Sequence, residues 1–163
     1  MTNDEQARLW NLIKDIKFGM LTHRHANGLL HSHPLTTQNR GSDEAVLYFF
    51  VPKNGEIAGS LASDANVNLS YADPGSDSYV SIAGQARMIE DAAKKKALFN
   101  PMVKSWFPQG LEDPNLGLLG VQIVDAEYWD VKDSKMVQFF KMAKAAMTGK
   151  PPSIGEHHKV DGA

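Results

Sequence analysis

The sequence predicts a mainly β fold, an antiparallel barrel of six or seven strands with three flanking helices. Three observations carry this. Strand-like runs follow one another in hairpin order instead of alternating with helices, as parallel βαβ units would require. Asn27-Gly28 stands between two such runs, which is the strongest short-range hairpin signal. Residues 45–51 (AVLYFFV) are too continuously apolar for a surface strand, so both of their faces should be covered.

The elements follow in order. Thr2 and Glu5 have capping-box spacing, and Leu9, Leu12, Ile13 and Ile16 form one apolar stripe, so a helix is expected to about residue 17. Residues 18–23 and 29–37 are the two strands of the Asn-Gly hairpin, and 45–51 is a central strand. The break at residues 52–55 is followed by a short, small-residue-rich stretch suited to a brief helix at 56–63. In residues 66–71, Val67, Leu69 and Tyr71 alternate with polar neighbours, as a half-buried strand requires. Asp73-Pro74-Gly75 is a turn, and the strand at 78–90 contains Gly84, a signal for a bulge or sharp bend. Asp91 is placed to cap the next helix, which Pro101 interrupts. Residues 116–131 read as two strands divided near Asp125. A last helix over 135–148 ends at Gly149 with two prolines beyond it. Its stripe of Met136, Phe140, Ala143 and Met147 suits docking on the barrel or on a partner, with core packing the favoured reading.

At 163 residues with 42% hydrophobic side chains, one domain over residues 1–152 is expected, with 153–163 a flexible tail. The absence of cysteine excludes disulfides, thiolate metal sites and cysteine nucleophiles. The start is acidic and polar where a secretory signal would be basic and then apolar, and no apolar run is long enough to span a bilayer. A cytoplasmic location without membrane partners follows as the expectation. A net charge of −2 gives no field to gather phosphate backbones, and Lys94 to Lys96 reads as a solvated helix face, so nucleic acid is not an expected partner. Neither a P-loop nor a Gly-x-Gly-x-x-Gly fingerprint is present. No acid/base pair or nucleophile motif stands out.

His23, His25, His31 and His33 invite a metal or haem reading, because each His-x-His pair projects two imidazoles to one side of a strand. Register decides the matter. If Asn27-Gly28 is a two-residue turn, His25 faces Leu30 and His23 faces Ser32, and the two pairs lie on opposite faces. No metal site is then expected, although a one-residue bulge would reverse that conclusion. His157 and His158 fall in the expected tail, where solvation is the simpler reading.

Six segments together carry a resemblance: Ser32-His33-Pro34-Leu35, residues 47–51, residues 66–74 (NVNLSYADP), residues 79–84 (YVSIAG), Lys104-Ser105-Trp106-Phe107-Pro108 and Glu127-Tyr128-Trp129-Asp130. In order and spacing they resemble the general stress protein branch of the pyridoxamine-phosphate-oxidase-like, FMN-binding split barrels, from the first helix to about Gly155. The resemblance implies a homodimer with two flavin mononucleotide sites at the subunit interface. By position, His33, Pro34, Leu35 and Thr36 of the second strand and Phe49, Phe50 and Val51 of the third would line the groove. Lys53 to Ile57, Gly55 among them, would form the phosphate loop. Trp106 and Phe107 would reach the ring from the other subunit, with Trp129 near the interface.

A flat, amphipathic ring needs an apolar wall, and its phosphate needs cations or N–H donors. The second need is where this chain departs from the family pattern, which has arginine at the position of His33, serine at Gly55 and lysine at Ile57. A phosphate carries about −1.5 to −2 charges, leaving Lys53, Arg24, Arg40 and backbone amides to meet it. Weaker FMN binding than in close relatives, or a site rebuilt for another ligand or left empty, is therefore expected. The implied function is a flavin-binding protein acting as an oxidoreductase on an unidentified substrate. A flavin supplies its own redox chemistry, so the missing catalytic motif does not oppose this. The alternative is a binder without turnover, storing or sensing flavin during stress, or holding another small molecule, haem through a strand-two histidine included.

Overall fold

The computed structural model describes residues 2–39, 41, 44–131 and 135–161. Its elements are α1 (Asn3–Ile13), β1 (Gly19–Arg24), β2 (Leu30–Leu35), β3 (Val46–Pro52), α2 (Glu56–Ser60), β4 (Asn66–Asp73), β5 (Ser78–Ile89), α3 (Ala92–Leu98), β6 (Leu116–Asp130), α4 (Lys135–Thr148) and β7 (Glu156–Asp161), with two 3-10 turns between α3 and β6. All strand pairs are antiparallel, in the order β2-β1-β4-β5-β6-β3. β3 and β7 share the far edge of β6, pairing with its first and second halves.

The sheet curls until its two ends approach. The chain leaving β2 is tied to β3 by the Gln38 N–H on the Tyr48 carbonyl at 2.8 Å. The Asn39 amide adds bonds to the Val46 carbonyl at 2.8 Å and from the Tyr48 N–H at 3.0 Å. Inside lies one apolar cluster built from alternate residues of every strand but β2, among them Leu21, Leu47, Phe49, Leu69, Tyr71, Ile82 and Leu119. α1 lays Leu9, Trp10 and Ile13 onto it. The expected capping box is formed, the Glu5 N–H donating to Thr2 Oγ1 at 3.3 Å and the Thr2 N–H to the Glu5 carboxylate at 2.7 Å. Asp91 caps α3 by accepting the Lys94 N–H.

The irregularity predicted at Gly84 is a register shift between β5 and β6 at Ala83/Gly84. A β-carbon at Gly84 would stand 2.6 Å from Val121 Cγ1 and 2.8 Å from the Gln122 carbonyl, so the crossing strand leaves no room for a side chain.

Four expectations are corrected. α1 ends at Ile13, short of residue 17, because the chain must turn to enter β1. Residues 116–130 form a single strand, the irregularity near Asp125 being absorbed by the bulge rather than by a break. Residues 156–161, expected as tail, pair with residues 125–130 of β6, bury Val160 and tie Glu156 to Arg8 at 2.7 Å. A strand held by a distant partner and one apolar anchor leaves little local signal. Finally, Phe140 and Met147 of the α4 stripe are 64% and 88% exposed, so that stripe does not enter the core, which α1 and the strands already fill. Met136 belongs to the side chains outside the described residues.

Candidate functional site

The hairpin between β1 and β2 sets the geometry of the site. Its turn has three residues, Ala26, Asn27 and Gly28, closed by the Gly28 N–H on the His25 carbonyl and the His25 N–H on the Leu29 carbonyl, both at 2.8 Å. Gly28 has φ of +84°, the left-handed conformation this bulged turn demands and glycine adopts without strain. The Asn27 side chain accepts the Leu29 N–H at 3.0 Å. The extra turn residue shifts the register by one, so that His23 faces His31 and Leu21 faces His33. The expectation of a two-residue turn, with the histidine pairs on opposite faces, is therefore overturned. All four imidazoles share the face that continues the barrel interior.

There they meet α2. The Nε2 atoms of His23 and His33 are 3.0 Å apart, and the His25 and His31 rings stack at 4.4 Å. The Glu56 carboxylate stands 3.5 Å from His31 Nδ1, 3.5 Å from His33 Nε2 and 3.8 Å from His25 Nε2. Two sets of three potential ligands result, His23/His33/Glu56 and His25/His31/Glu56. His23 is the buried member, 1% exposed, while the other three histidines are about one-third open to solvent. Burial, then the proximity of His33, pushes the His23 pKa down, so its neutral form is favoured. His25 Nδ1 is buried with no hydrogen-bond partner.

Ser60, one turn beyond Glu56, fixes the proton of His23. Its hydroxyl is 2.9 Å from His23 Nδ1 and donates to the Ile57 carbonyl at 2.9 Å. With its one proton so used, Ser60 accepts from Nδ1–H, leaving a lone pair on His23 Nε2.

The other expected site residues are dispersed. Pro34 and Thr36 point away from the interior and are exposed, whereas Leu35 packs against the core. Phe49 and Val51 are buried inside the barrel. Phe50, on the opposite face, meets Phe99 edge-on at 6.3 Å and joins a second apolar cluster with Val103, Phe107 and Leu116. Phe107 is buried there, while its neighbour Trp106 is 81% exposed. Ile57 lies in the main core. Gly55 is the N-cap of α2, and Lys53 is exposed with its ammonium 3.9 Å from Glu90. Thus His33 is brought to the cluster, and it is completed by Glu56, which lies within the expected phosphate loop but was given no role of its own, and by Ser60, which sequence reading did not select. Their spacing of four on a helix was the available signal, but it acquires meaning only once the register gathers the histidines.

The fold and the matching segments decide the family. Residues 4–153 match the family described as pyridoxamine 5'-phosphate oxidase like. The chain belongs to that family. It is 30% identical to the general stress FMN/FAD binding protein of Xanthomonas citri, with a TM-score of 0.70 over 82% of this chain and 93% of that one. General Stress Protein 26 from Bacillus anthracis shares the fold, with a TM-score of 0.67 at 22% identity over 76% and 92% of the two chains. Protein bli-3 of Neurospora crassa is 26% identical over 153 residues, 88% of this chain and 73% of that protein.

The residues at the expected phosphate end do not fit a flavin phosphate. The Glu56 carboxylate stands 3.5 Å from His33 Nε2. Ile57 is turned into the core and Gly55 offers no side-chain donor. Arg24 is engaged with Asp64 at 3.5 Å and with the Gly28 carbonyl at 2.9 Å. Arg40 lies outside the described residues. An anion brought to His33 would face another anion in a half-buried setting, where like charges repel more strongly than in water.

Proposed function

We propose that this protein is a small-ligand binder built on the FMN-binding split barrel, acting as a homodimer, in which the phosphate end of the flavin site has been rebuilt. FMN is held weakly, and the chain acts without flavin-dependent turnover. One observation carries this reading: a carboxylate, Glu56, stands among His25, His31 and His33, where the family resemblance would put a phosphate. The exposed Trp106 and the apolar side chains of α4 support the dimer, because large apolar groups left open on one chain are the usual material of an interface.

Equilibrium titration with FMN, followed by flavin fluorescence, tests the reading. Wild type should release FMN on dialysis, and E56Q should bind it more tightly by removing the competing charge. Flavin retained through extensive dialysis of the wild type refutes the reading.

A second reading, a flavin-dependent oxidoreductase, is favoured by Trp106, whose ring is free to cover a flavin across a dimer. Oxidation of NADH or NADPH that depends on added FMN and protein, and falls in W106A, would establish it over the first.

A further inference from the structure

We propose that His23, His33 and Glu56 form a binding site for one divalent transition-metal ion of the zinc class. The inference goes beyond the reading of the flavin site and does not depend on flavin affinity.

Four features of the cluster carry it. The donor set is two imidazoles and one carboxylate, a combination that suits zinc and its neighbours in the first transition row. The spacing is close to that of ligands around one ion, the three donor atoms all lying within 4.8 Å of one another. Donors at about 2.0–2.1 Å from a tetrahedral centre stand about 3.3 Å apart. Here His23 Nε2 to His33 Nε2 is 3.0 Å and His33 Nε2 to the Glu56 carboxylate is 3.5 Å. The buried ligand is already in the required tautomer, because the Ser60 oxygen accepts a hydrogen bond from His23 Nδ1–H while its own proton is donated to the Ile57 carbonyl. That is the outer-shell arrangement that orients metal-bound histidines. The ligands also come from rigid parts of the fold, two neighbouring strands and a helix packed on β1 and β3, so little ordering remains for binding to drive.

The chemistry of the cluster agrees. Without a cation, a carboxylate faces three imidazoles, and the His23–His33 contact is one hydrogen bond between rings that can share a single proton. A divalent ion replaces that proton, satisfies both nitrogens and neutralises Glu56. Three protein ligands leave the fourth position to solvent, as His33 and Glu56 are partly exposed, which marks an open site and not a closed structural one. The second trio is the weaker candidate. His25 and His31 stack face to face, and no hydrogen bond fixes the tautomer of His25.

The test uses the full chain, stripped with a chelator and free of flavin, so that the outcome is separate from the FMN titration. Zn²⁺ is the titrant in competition with a chromophoric chelator, and Co²⁺ reports coordination through its visible absorption. Wild type should take up one equivalent per chain at micromolar metal and give the Co²⁺ spectrum of mixed nitrogen and oxygen coordination. S60A should weaken Zn²⁺ about 10–100-fold through the loss of the outer-shell contact. H33Q and E56Q, both at partly exposed positions, should weaken it more, with circular dichroism confirming that each is folded. H157Q/H158Q should bind as wild type does. No uptake by wild type, unchanged uptake in H33Q and E56Q, or loss confined to H157Q/H158Q overturns the proposal.

Discussion

His23 and His33 touch through their Nε2 atoms at 3.0 Å although they are not directly paired, His33 lying opposite Leu21 and His23 opposite His31. The contact is diagonal across the strand pair, within reach of long or aromatic side chains on the same face. It depends on the turn that sets the register, and the turn can be tested first.

A β-carbon added at Gly28 would meet no atom within 4 Å, so any cost of substitution there comes from the backbone and not from a clash. At φ of +84°, Gly28→Val should cost about 1–2 kcal/mol, and Gly28→Asn distinctly less, since asparagine tolerates the left-handed region. Urea denaturation of the two variants checks the order, and equal losses would contradict the turn.

Gly84 presents the opposite case, with ordinary backbone angles and no space. Gly84→Ala should destabilise by about 1–3 kcal/mol, because the new methyl would press on Val121 and the Gln122 carbonyl. A lower urea midpoint with an unchanged denaturant slope is the expected result.

β7 covers half of one edge of β6. Truncation after residue 155 should expose Tyr128 and Ala126 and leave the backbone of residues 125–130 unpaired on that side. The melting temperature should fall and aggregation on heating should rise, because an uncovered strand edge invites pairing with another chain. Val160→Ala alone should cost about 1–2 kcal/mol.

Asp64 gives a pH dependence of known sign. Its carboxylate accepts the Asn66 N–H at 3.0 Å and the Asn66 amide at 2.9 Å, and these bonds, with Arg24 behind them, hold its pKa below the ordinary 3.8. A depressed carboxylate contributes its stability above the unfolded value and loses it as pH falls through the folded one. Relative to D64N, wild type should therefore be more stable at neutral pH, with the gap closing in acid below 3.8. Urea midpoints of both proteins across that range are the measurement.

Much of this fold was legible in the sequence because its signals are local. The capping box at Thr2, the alternation through Tyr71, the cap at Asp91 and the glycine at the register shift between β5 and β6 each act over a few residues, and each is found where those residues predict. β7 was hidden because a polar strand with one buried valine is held by its partner. The site was hidden for a sharper reason. Every histidine was visible, but their common face turns on whether Ala26 belongs to the strand or to the turn, and Asn-Gly is compatible with both. Glu56 and Ser60 then looked like ordinary helix residues.

That dependence has an evolutionary consequence. Shortening the β1–β2 turn by one residue, with no ligand changed, would rotate His23 and His25 away from His31 and His33 and scatter the cluster. Lengthening it again would restore the whole set in one step. A surface insertion of a single residue thus decides whether the four imidazoles share one face of this barrel, so relatives that retain these histidines should be compared by turn length before they are compared by sequence.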